Sequence, residues 1–136
     1  MNIYQTWFAL YAFSHFNWRH AKNDDLITII SGCNPYIWAD EGLSADPAAW
    51  PEFEEVWGKD SLTKDITIEE AREKVKAYFK FYEKTGFDFG NLDELIPTET
   101  WDKYAKIITS FNNKDFTDKK EWFELLEENK SKFTAR

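Results

Sequence analysis

One stretch of the sequence decides the fold class: Thr67–Gly86, which reads TIEEAREKVKAYFKFYEKTG. Its apolar residues recur at the spacing of one helical face, at Ala71, Val75, Tyr78, Phe79 and Tyr82. Thr67 and Glu70 have the spacing of an N-terminal capping box, and Gly86 stands where a helix commonly ends in the left-handed conformation. The stretch therefore predicts an amphipathic helix about 27 Å long.

Other segments of the chain read as helices that could surround this one. In chain order they are residues 3–16, 24–33, 51–57, 91–96, a helix that begins at Thr98, and one from 117 to about 133. Glycines and prolines separate them. The sequence therefore predicts an all-α fold, a single compact bundle of five to seven helices in which residues 1–136 form one domain.

Two parts of the chain leave the local structure open. Residues 26–30, LITII, are rich in β-branched side chains and could form a strand, but no second convincing strand exists to pair with them, which favours a helix. Residues 34–50 are expected to be irregular. There Asp46–Pro47 begins a short turn, and a helix is expected only from Pro51, because proline lacks the N–H that a helix interior requires.

The charge balance excludes several classes of function. The chain carries 17 basic and 25 acidic residues, a net charge of −8. Phosphate contacts need lysine and arginine, so direct binding to nucleic acid is not expected, and a polybasic membrane patch is not expected either. No run of 18 apolar residues could span a membrane. The single cysteine, Cys33, can form no intrachain disulfide, which predicts a cytoplasmic protein.

Candidate catalytic and metal-binding groups are few. The two histidines, His15 and His20, are five residues apart, which does not match the spacing of an HExxH metal site. The sequence around Cys33 matches no nucleophile signature, although a thiol with a histidine base can be imagined. No metal, no cofactor and no catalytic residue is therefore predicted.

One region combines acidic and aromatic residues. Between residues 40 and 60 there are seven acids against Lys59 alone, and three tryptophans lie in or beside this stretch. Carboxylates can steer the encounter with a basic protein, and tryptophan can supply the buried contact that stabilises the complex. The alternative is that the tryptophans belong to the core and that the acids are simply solvated. The predicted binding surface comprises Trp38, Asp40, Glu41, Asp46, Trp50, Glu52, Glu54, Glu55 and Trp57.

The same region carries a family resemblance. Residues 34–38, NPYIW, followed by residues 44–53, SADPAAWPEF, resemble a segment of small bacterial cytosolic proteins, some of which are similar to the immunity proteins of contact-dependent and other polymorphic toxin systems. The resemblance implies an inhibitor that binds one cognate toxin domain. It transfers no functional residue, because such proteins bind through variable surfaces.

Three hypotheses follow. The first is a non-catalytic protein-binding module, an acidic immunity or antitoxin-type inhibitor whose partner is a basic protein such as a toxin domain. The second is a small helical enzyme that uses His15, His20, Cys33 and nearby acids in one cleft. The third is a structural or oligomerisation domain that self-associates through leftover aromatic surface. The sequence alone leaves the oligomeric state open.

Overall fold

The fold is all-α, as the sequence predicts. The computed structural model describes residues 1–34, 44–111 and 119–135, and these contain eight α-helices, one 3₁₀ turn and no strand. The helices are α1 (Ile3–Ala21), α2 (Leu26–Gly32), α3 (Ala49–Trp57), α4 (Ile68–Glu83), α5 (Leu92–Leu95), α6 (Thr98–Thr109), α7 (Lys119–Glu128) and α8 (Lys130–Thr134), and the 3₁₀ turn spans Lys59–Ser61.

Helix α1 lies at the centre of the structure. Its residues are buried around most of the helix circumference from Ile3 to Ser14. Its aromatic rings pack against four other helices: Trp7 against Phe53 and Tyr78, Phe8 against Trp122, and Phe13 against Tyr104. A helix without a polar face needs neighbours on every side, and α1 obtains them from α3, α4, α7 and α6. One cluster of buried apolar side chains includes members of all eight helices.

Helix α1 begins at Ile3, as predicted, but it ends later than predicted. The Asn2 side chain accepts a hydrogen bond from Gln5 N, and the Gln5 side chain accepts one from Asn2 N, which is a reciprocal capping box. The helix continues five residues past the predicted end at Phe16 and stops at Lys22, which adopts a left-handed backbone with φ 53°. Apolar spacing alone could not show this extension, because the last turn is mostly polar.

The helical reading of residues 26–30 is correct, because α2 covers them. The predicted start of this helix at residue 24 is wrong, because α2 begins at Leu26. Asp25 occupies the N-cap position, but its side chain makes no capping bond and instead accepts a hydrogen bond from the backbone N–H of Asp88 at 2.8 Å. A contact between residues so far apart in the chain holds the start of α2, and no local pattern could reveal it.

Two other boundaries differ from the prediction. Helix α3 begins at Ala49, so Pro51 lies in its first turn, where a backbone N–H has no partner within the helix and its loss costs nothing. The predicted helix at 117–133 is two helices, because the backbone changes conformation at Asn129, whose side-chain amide donates to the Leu125 carbonyl at 2.8 Å. This break accounts for an eighth helix where five to seven were expected.

Candidate functional site

An acidic surface is formed by α3 and the turn before it. We call it the acidic face and define it as Asp46, Glu52, Glu54 and Glu55. Residues 44–58 contain these four acids and no basic residue. Asp46 and Glu55 are exposed, and Glu52 and Glu54 are half-buried. Four negative charges therefore lie between residues 46 and 55. They repel one another unless a cation is nearby.

The turn that carries Asp46 is held in place by backbone bonds. Asp46 N donates to the carbonyl of Gly32 at the end of α2, at 2.8 Å. The Asp46 carboxylate accepts from Ala48 N at 2.9 Å. The Ser44 hydroxyl donates to Asp46 O and accepts from Trp50 N at 3.1 Å. These bonds fix the Asp46 carboxylate relative to α2 and to the first turn of α3.

Trp57 does not belong to the acidic face. It is completely buried, and its indole N–H donates to the carbonyl of Ser61 at 2.9 Å. It faces inward together with Ala49 and Phe53, at the i, i+4, i+8 spacing of a core stripe. The placement of Trp57 on a binding surface is therefore corrected, and for this residue the alternative that the tryptophans are core is right.

Trp50 is half-buried and remains partly accessible beside the acids. Its ring stacks on Tyr4 of α1, with centroids 5.5 Å apart and planes inclined by 18°, and it meets Trp7 edge-on at 5.4 Å. Glu54 follows Trp50 by four residues and so lies on the same side of α3. An acidic side chain and a partly accessible aromatic ring, Glu54 and Trp50, are therefore found side by side here, as the sequence predicts. The three other predicted residues, Trp38, Asp40 and Glu41, lie outside the described residues.

Only one cation pairs with the acidic face in the part of the chain that the structure describes. Lys59 Nζ lies 3.4 Å from a carboxylate oxygen of Glu55, and both side chains are largely exposed. Such a pair is worth little, since water and salt screen it. The acidic face therefore keeps most of its negative potential.

Glu52 connects this surface to a buried polar chain. Its carboxylate accepts a hydrogen bond from Tyr82. Tyr82 lies 3.3 Å, oxygen to oxygen, from the hydroxyl of Tyr78, which donates to the Ala49 carbonyl at 3.0 Å and lies 3.6 Å from the Cys33 sulfur. Partial burial raises the pKa of Glu52 and the charge of Asp46 raises it further, while the bond from Tyr82 opposes both effects.

The Cys33 end of this series of polar side chains is buried and chemically unreactive. Cys33 is 1% exposed, and burial raises the pKa of its thiol to about 12. Burial also raises the pKa of Tyr82 to about 12 and that of Tyr78 far above its ordinary value. Because the thiolate is the nucleophilic form of cysteine, both the burial of Cys33 and its raised pKa disfavour a nucleophilic role for this thiol.

His15 and Cys33 have different partners. The ring of His15 packs against Tyr11 and Phe16, and the charges that act on it are those of Glu127 and Lys130, whereas the Cys33 sulfur lies 3.6 Å from the Tyr78 hydroxyl. The side chain of His20, the other histidine of the enzyme hypothesis, lies outside the described part of the structure. Across residues 1–34, 44–111 and 119–135, no three His, Cys, Asp or Glu side chains form a group that could hold a metal ion.

The inertness of Cys33 gives a direct prediction. The thiol of the folded protein should resist iodoacetamide at pH 8, and alkylation should become fast in urea, as mass spectrometry would show. The raised pKa also favours the folded state while the thiol is protonated. This contribution should be lost as pH rises from the ordinary cysteine pKa of about 9 towards 12. Rapid alkylation without denaturant would show that the thiol is accessible.

The sequence did not indicate the contacts of Tyr78 and Tyr82. Both residues belong to the apolar stripe that predicts α4, and their four-residue spacing puts them on one face. Their bonds to Cys33 and Glu52 join residues of α2, α3 and α4, so only the packing of these helices reveals them.

Comparisons with protein-family models, curated proteins and solved structures return no match for this chain. In the described part of the chain, no helix combines the length and the apolar character needed to cross a bilayer.

Proposed function

We propose that this protein is a binding module that holds a basic protein partner through the acidic face. One observation carries the proposal: residues 44–58 place four carboxylates on α3 and its preceding turn, with no basic residue among them and one weak ion pair at the edge. Concentrated charge of one sign raises the local concentration of an oppositely charged partner and speeds its association.

Trp50 would supply the binding energy that the carboxylates at the rim of the interface do not. Charges at the rim of an interface mainly affect the rate of association, whereas a partly buried aromatic side chain near the centre supplies binding energy. Trp50 is already packed against Tyr4 and Trp7, so it loses little conformational freedom when a partner covers it. Glu54 and Glu55 lie one turn further along the same helix. We infer that Trp50 is the anchor and that these two acids guide the partner onto it.

The kind of partner that fits best is a toxin domain that acts on nucleic acid. Such a domain needs a basic surface to hold phosphate groups, and an acidic inhibitor can cover that surface. The resemblance of residues 34–38 and 44–53 to proteins of toxin-immunity systems concerns the same segment that carries the acidic face. We therefore propose an immunity or antitoxin-type inhibitor that acts in the cytoplasm of the cell that makes it.

Co-expression tests this function. A toxin domain encoded by a gene adjacent to that of this chain would be expressed in a laboratory host with the wild-type chain, with the double variant E54K/E55K, or with the double variant E124K/E128K. Wild type should restore growth, E54K/E55K should fail to do so, and E124K/E128K should restore growth. The control pair consists of exposed glutamates on α7 and alters the net charge equally.

Glu54 and Glu55 are chosen because the other two acids have structural contacts, Asp46 with Ala48 N and Glu52 with Tyr82. Circular dichroism establishes that both double variants fold. If the wild-type chain gives no protection from the neighbouring toxin, it is not that toxin's inhibitor. If E54K/E55K protects as well as wild type, the acidic face is not the interface.

A further inference from the structure

We draw no further inference here: the strongest candidate, the surface patch of partly exposed aromatic side chains that Phe81, Tyr82 and Phe87 form at the C-terminal end of α4, carries no proposal because nothing in the structure shows what covers it.

Discussion

Replacement of Trp57 by alanine is expected to lower the free energy of unfolding by about 3–5 kcal/mol, the usual cost of deleting a large aromatic side chain from a core. Trp57 has no exposed surface and packs near Phe53, with centroids 6.1 Å apart. The substitution also leaves the Ser61 carbonyl without the indole donor that lies 2.9 Å from it. Urea denaturation followed by circular dichroism measures the change.

Two further variants keep this prediction testable if W57A does not fold. W57F retains most of the apolar contact but loses the indole N–H, and it should cost about 1–2 kcal/mol. I27A truncates a side chain of α2 that is 41% exposed, and its effect should stay within about 0.5 kcal/mol. If W57A and I27A change the unfolding midpoint equally little, Trp57 is not part of the core.

Loss of the Arg72 guanidinium is expected to be the second largest effect. Arg72 is 7% exposed, and its Nε donates to the Ile96 carbonyl at 2.8 Å, while Nη2 lies 3.2 Å from the carboxylate of Asp93. The variant R72M keeps the apolar stem but leaves the carbonyl of a fully buried residue without its donor. We expect the free energy of unfolding to fall by about 2–3 kcal/mol, measured in urea at pH 7.

The matched control is D93N, because Asp93 is the other end of the same contact but is exposed. Its effect should be much smaller than that of R72M, since water can replace the lost interaction. The hydrogen bond from Lys76, with Arg72, holds the pKa of Asp93 below its ordinary value. The stability that this carboxylate contributes is therefore present at neutral pH and is lost as pH falls through its lowered pKa. The difference between D93N and wild type should vanish in acid, and equal losses for R72M and D93N would contradict this account.

The sequence predicts the helices well where local chemistry determines them. Thr67 caps α4 as expected, with its hydroxyl accepting from Glu70 N at 3.0 Å. Gly86 adopts a positive φ of 108°, although α4 ends at Glu83 and not beside this glycine. The apolar spacing of α4 correctly assigns Val75 and Phe79 to the core. These features depend on residues within a few positions of one another, which a pattern can show.

The sequence fails where distant residues decide the structure. The start of α2 depends on a bond between Asp25 and Asp88, and α3 begins two residues before Pro51 in a turn bonded to the end of α2. The acidic face likewise has features that the sequence shows and features that depend on distant residues. The concentration of acids is visible in the composition, but whether a tryptophan lies inside or outside depends on which other helices pack against that side of α3, which the composition does not show.

The most direct test of the central claim is the rate at which the chain associates with the proposed partner, a basic toxin domain, measured by stopped-flow fluorescence between 25 and 300 mM NaCl. The wild-type rate constant should fall steeply with salt, E54K/E55K should associate more slowly and show a flatter salt dependence, and E124K/E128K should follow the wild type. If E54K/E55K associates at the wild-type rate at every salt concentration, the acidic face does not guide the partner.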